Sequence, residues 1–206
     1  IGLINSSVGG TPIEAWISED GLKHFMDIIG TVEKNKDTAY INSMQRAGGG
    51  FPRRQQESTN DKGLNGPIPW YDQSYVPKGW RTITVPAFWE DQGVKDLKGT
   101  VWDRKEIDVP ASMVGKPSRV YLGRIIDADV LYINGKQVGR TPSMYSERRY
   151  NIPADLLKAG KNLFVVKITN NSGKGGFVPD KPYYLFSGSD TVSLVGYWLY
   201  KVGEVF

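Results

Sequence analysis

Two glycines and a threonine near the start of the chain are the residues best placed to hold a charge. They lie in Ile1-Gly-Leu-Ile-Asn-Ser-Ser-Val-Gly-Gly-Thr-Pro-Ile-Glu-Ala-Trp16. Leu3 and Ile4 suit a short covered strand, and Gly9 and Gly10 let the backbone turn tightly and approach a ligand. Thr11 is an N-cap, Pro12 takes the first helical position and Glu14 completes a capping box. A helix N-terminus over the carboxyl end of a strand can hold an anion or a developing oxyanion. The same pattern also serves a purely structural strand, turn and helix.

Other chemistry-bearing residues are few. His24 is the only histidine, and it reads as a surface or helix-packing residue rather than a catalytic base. Aromatic side chains are more plentiful. Trp102 and Trp198 fall within strand-like runs and read as core. Trp70, Tyr71 and Trp80 lie in loop-like surroundings and are the candidates for rings that stack on a sugar, although a core or interdomain role is the favoured reading. Asp127 and Asp129, with Asn170, Asn171 and Gly173, offer oxygens to a cation. Two carboxylates fall short of the roughly six to eight ligands that calcium takes, so turn chemistry is the expectation and no metal is predicted. Ser172-Gly-Lys-Gly-Gly-Phe177 lacks the helix start and the Lys-Ser/Thr ending of a phosphate loop. It reads as a flexible connection between strands.

Composition narrows the classes. The 206 residues, 39% hydrophobic and 12% aromatic, indicate a folded protein with an ample core. A net charge of +4 is spread without a basic stripe, so no nucleic-acid partner is expected. Zero cysteines exclude disulfides and thiolate metal sites. No apolar run reaches membrane-spanning length, so no membrane partner is expected either.

The elements that must position these residues change character along the chain. Leu22, Phe25, Met26, Ile29 and Val32 recur at helical spacing. Gly48-Gly-Gly50 ends helical structure, and a polar stretch follows. From Pro67 onward short β-type runs alternate with turn residues. Arg81 to Val85 stops at Pro86, Val101 to Val109 stops at Pro110, and Arg119 to Leu122 closes at Gly123. Val130 to Ile133 leads into Asn134-Gly135, the strongest short hairpin signal. Ala154 to Lys158 reads as one helical turn, and Leu163 to Thr169 places Phe164, Val166 and Ile168 on one face. The expectation is a mainly β fold, a jelly-roll β-sandwich preceded by a short helical segment. Its boundaries are 1–47 for strand and helices, 48–66 for a linker or loop, and 67–206 for the sandwich.

Gly2 to Trp16 resembles a signature segment of the sialate O-acetylesterases, which are SGNH-type carbohydrate esterases, with Val8 where a Trp is common. The resemblance continues in Gly99-Thr-Val-Trp-Asp-Arg-Lys-Glu106, Tyr132-Ile-Asn-Gly-Lys-Gln-Val-Gly139 and Ser193-Leu-Val-Gly-Tyr-Trp198. The sandwich is similar to the galactose-binding-like jelly roll that also precedes many glycosidase barrels. What the esterase resemblance implies is an internal fragment: a strand-helix remnant of an α/β SGNH catalytic domain plus its inserted sandwich. The family's Gly-Gln-Ser-Asn-type nucleophile motif and Asp-x-His-type segment are missing, so the chain is expected to be inactive alone. Gly9, Gly10 and Thr11 would belong to the parent's oxyanion or substrate loop. The partners implied are an acetylated sugar and the rest of the catalytic domain, with no cofactor, in a periplasmic, secreted or lysosomal setting. A free-standing carbohydrate-binding module is the alternative.

Overall fold

Among the residues that the computed structural model describes (13–40, 43 and 60–206), ten strands form two antiparallel sheets. The chain divides into two units, Ile1–Glu57 and Ser58–Phe206.

In the first unit a 3-10 turn over Ile13–Trp16 precedes α1 (Glu19–Leu22) and α2 (Met26–Lys36). The Ser18 hydroxyl caps α1 by accepting from the Gly21 N–H at 3.3 Å. Lys36 donates to Glu19 and, at 3.1 Å, to Glu33. Leu22 is buried, but Phe25 and Met26 of the same expected stripe are exposed. His24 lies exposed in the turn between the two helices rather than inside one. The strand expected at Leu3, the turn at Gly9 and Gly10 and the cap at Thr11 lie outside the described residues. Among the described residues no helix is long and apolar enough to cross a membrane.

The second unit opens with α3 (Lys62–Asn65), capped by Asp61. The strands are β1 (Arg81–Val85), β2 (Gly99–Val109), β3 (Ser118–Ile126), β4 (Ala128–Ile133) and β5 (Lys136–Thr141). Then follow β6 (Arg149–Ile152), β7 (Gly160–Asn170), β8 (Gly176–Ser187), β9 (Asp190–Ser193) and β10 (Gly196–Val205). Six pair in the order β1-β10-β2-β7-β4-β5 and four in the order β6-β3-β8-β9. Phe164, Val166 and Ile168 of β7 all point between the sheets, with Val101, Ile107, Leu131, Leu122, Leu185 and Trp198 in the same core. The mainly β sandwich preceded by short helices is therefore the observed architecture, consistent with a galactose-binding-like jelly roll.

Turn chemistry accounts for the connections. Asn134 and Gly135 both take positive φ, 50° and 82°, the backbone that a two-residue hairpin between β4 and β5 requires. The Asn134 side chain does more: its Nδ2 donates to Leu156 O at 3.0 Å and to Asn162 Oδ1 at 2.8 Å. Buried Asn162 in turn donates to the carbonyls of Lys158 and Gly160 and accepts from the Lys158 N–H. This pair of amides organises residues 154–160 as a single turn, where one turn of helix is predicted. Two further expectations are revised at strand ends. β3 runs past Gly123 through a bulge between Leu122 and Arg124, and Gly176 and Phe177 of the glycine loop already belong to β8.

Candidate functional site

Residues 61–80 hold no strand, yet they form a layer over the outward face of the six-stranded sheet. That face is apolar where Trp102, Tyr132, Leu163 and Val165 lie, and leaving it in water would cost about 25 cal/mol per Å². Tyr71 stacks on Tyr132 with ring centroids 4.2 Å apart, and Trp70 meets Trp80 at 5.3 Å and Trp102 at 6.2 Å. Polar anchors fix the layer. Asp61 Oδ1 accepts from Trp102 Nε1 and from the Gly63 N–H, both at 2.9 Å, while Oδ2 faces Lys167 Nζ at 3.2 Å. The Arg104 guanidinium donates to the carbonyls of Trp70, Asp72 and Tyr75 at 2.9, 3.3 and 3.1 Å. Gly203 leaves room for this: a Cβ there would come within 2.3 Å of Asp61 Oδ1.

The candidate sugar-stacking residues are therefore packed together. Trp70 is 6% exposed, which fits the core role rather than the sugar-stacking one. Tyr71 and Trp80 are half-buried with their rings against the same cluster. The absence of periodicity after Pro67 makes this segment look like free loop, but its contacts are to strands far along the chain.

Beside the layer the same sheet face stays open. A groove of about 350 Å³ is lined by Pro77, Thr82, Arg104, Lys105, Glu106, Tyr197, Trp198 and Leu199. A second hollow of about 230 Å³ shares Arg104 and Glu106 and adds Gln73, Lys158 and Lys161. The Tyr197 ring is 75% exposed at the groove's edge. Glu106 pairs with Lys161 at 3.1 Å. Lys105, its ammonium pushed down by burial, donates to Val195 O at 3.0 Å and lies 5.9 Å from the Trp198 ring centre. An exposed ring between hydrogen-bonding donors and a carboxylate suits a small polyhydroxylated ligand. Sequence reasoning missed Tyr197, Arg104 and Glu106. The face of β2 that carries them reads Thr100, Trp102, Arg104, Glu106 and Asp108, a pattern that an ordinary solvated strand face shares.

The other sequence candidates find structural partners. Asp129 accepts from Arg148 Nε at 2.6 Å and from the Tyr150 hydroxyl at 2.7 Å, all buried. Burial, then the adjacent Asp129 carboxylate, pushes the Tyr150 phenol up, which keeps it a donor. Asp127 accepts from the Asn171 N–H at 2.8 Å, and Asn170 Nδ2 donates to Leu97 O at 2.9 Å. These oxygens serve a buried ion pair and a turn.

Residues 36–196 match the model of the family described as glycosyl hydrolases family 2, sugar binding domain. The chain belongs to this family. It is similar to a β-glucuronidase of Formosa agariphila, 24% identical over 115 residues, covering 50% of this chain and 12% of that protein. Among solved structures it is similar to a glycosyl hydrolase family 2 member from Bacteroides cellulosilyticus. That likeness has 23% identity and a TM-score of 0.47, and covers 55% of this chain and 18% of the other. A β-glucuronidase of Bacteroides uniformis gives 24% identity and a TM-score of 0.45 over 70% of this chain and 17% of the other. The chain thus spans about an eighth of the length of the curated relative it matches.

Family 2 membership overturns the sialate O-acetylesterase reading. Its leading motif, Gly2 to Trp16, lies outside the matched residues, whereas the segments at 99–106 and 132–139 lie inside them. Sequence patterns that shape a galactose-binding-like sandwich are common to both kinds of protein, so they could not discriminate. The ester-hydrolysis reaction and the acetylated-sugar target expected of the parent are withdrawn with that reading. The carbohydrate-binding alternative fits the family.

Proposed function

We propose that this family 2 domain recognises carbohydrate for a longer glycoside-cleaving protein, holding a sugar in the groove edged by Tyr197. The family match over residues 36–196 carries this reading. Within it, the Tyr197 ring supplies a stacking face, while Glu106 and Lys161 supply an acceptor and a donor for ring hydroxyls. Trp70, Tyr71 and Trp80 belong to the packed layer beside the groove, where the Trp70 carbonyl helps to hold Arg104. Glu106 is the single carboxylate among the groove's lining residues, and glycoside hydrolysis takes two. Bond cleavage is therefore assigned to another part of such a protein, a division supported by the small share of the relative that this chain covers.

Calorimetric titration with glucuronides, galactosides and neutral oligosaccharides tests the reading. Saturable binding of at least one, weakened about tenfold or more by Tyr197→Ala, is the expected result; that ratio corresponds to about 1.4 kcal/mol. Silence toward every saccharide, or binding indifferent to both Tyr197→Ala and Glu106→Gln, would overturn it. The chain alone should release no aglycone from an aryl β-glucuronide.

A further inference from the structure

The opposite side of the sandwich carries a second surface of a different character. Strand register across the four-stranded sheet sets two rows on its outward face: Arg149, Tyr121 and Tyr184 in one, Asn151, Arg119 and Phe186 in the next. Tyr121 and Tyr184 stack with centroids 4.7 Å apart and planes inclined by 24°, and the Arg149 guanidinium lies 5.6 Å from the Tyr121 ring centre. Phe186 is 40% exposed. Side chains stand roughly perpendicular to a sheet, so the half-buried Tyr121–Tyr184 stack stands on this face beside the exposed Phe186.

The charges on this face are unequal. Among the described side chains, Arg149 and Lys181 share one carboxylate, Glu147, which pairs with Arg149 and lies 3.5 Å from Lys181. Arg119 is left over. Its Nε donates to Asn151 Oδ1 at 2.9 Å, which fixes the plane of the guanidinium. Its two terminal Nη groups have no partner among the described residues. A guanidinium held through Nε presents those two groups as a fork, the geometry that binds a carboxylate through two parallel hydrogen bonds.

We propose that this face is a second saccharide site, selective for a carboxylated sugar such as a hexuronate unit of an acidic glycan. The sugar's C–H face lies against Tyr184 and Phe186, and its carboxylate meets the Arg119 fork. A neutral sugar gains the stacking but leaves the fork unpaired, so charge decides the choice. The site lies on the other sheet from the Tyr197 groove and shares no residue with it, and it does not depend on that groove being functional.

The test is NMR titration of the 206-residue chain with oligogalacturonate and with its carboxyl-reduced, neutral counterpart. The acidic oligosaccharide should shift Arg119, Tyr121 and Tyr184 resonances, bind at least tenfold more tightly than the neutral one, and weaken as salt rises. Arg119→Gln should cost tenfold or more, Arg119→Lys should recover only part of the loss, and Tyr197→Ala should leave this binding unchanged. Equal binding of acidic and neutral ligands would overturn the proposal, as would an Arg119→Gln variant of undiminished affinity. Shifts confined to the groove would also overturn it. So would a face that answers only to a protein partner and to no saccharide. Loss of the groove's binding with this response intact would sink the groove assignment alone.

Discussion

Asp103 points between the two sheets from the middle of β2, fully buried, and neither carboxylate oxygen has a hydrogen-bond partner. Its register partners are Val166 and Tyr200. Lys105, two residues on along the same side of the strand, spends its ammonium on a backbone carbonyl instead. Removal from water pushes the Asp103 carboxyl well above the usual carboxylate range. The consequence for stability has a definite sign. An unfolded chain ionises this group near pH ~4, whereas the folded chain keeps the proton, so the folded state binds more protons as pH rises above that value. Stability should fall with rising pH, by up to about 1.4 kcal/mol per unit from this group, until the folded carboxyl ionises and the slope ends. Urea midpoints measured from pH 5 to pH 8 should show the decline, and Asp103→Asn should flatten it.

At the scale of elements, two polar clusters decide how segments join. Arg148 and Asp129 tie the approach to β6 onto β4, and each is completely or almost completely buried. Removing one partner strands a charge, so Arg148→Met alone should cost roughly 3–5 kcal/mol, while Arg148→Met with Asp129→Leu should cost much less. Denaturant melts of the single and double variants measure the difference.

Strands were the more legible elements. β1 lies at the residues where alternation runs up to Pro86, the hairpin after β4 turns on Asn134-Gly135, and β7 keeps its apolar face inward. Each depends on neighbours in sequence. The layer over residues 61–80 was opaque because its order comes from distant partners, Asp61 with Trp102 and Arg104 with the carbonyls of Trp70 and Tyr75. The groove was hidden for the same reason: Tyr197 and Glu106 line one groove because β10 pairs with β2. Trp70, Tyr71 and Trp80 stand out in the sequence by residue type alone. Their surroundings, which turn a display surface into a packed layer, are a property of the assembled sheet.

At the scale of the whole Ser58–Phe206 unit, a sandwich with residues 61–80 packed over one sheet and an exposed Phe186 on the other offers two separate grounds for the proposed sugar recognition. Family 2 membership makes carbohydrate the natural ligand class, and the two faces differ in charge and shape. The covered face has an optical consequence of its own. The indoles of Trp80 and Trp102 have centroids 5.3 and 6.2 Å from that of Trp70, close enough for the excited states of the three to couple. Such coupling produces a paired positive and negative band in far-ultraviolet circular dichroism that isolated indoles lack. Asp61→Ala removes the acceptor that holds Trp102 and the cap of α3 together. In that variant the couplet should fade on warming before the strand signal does, and a wild-type protein that loses both at one temperature would report the cover and the sandwich as a single cooperative body.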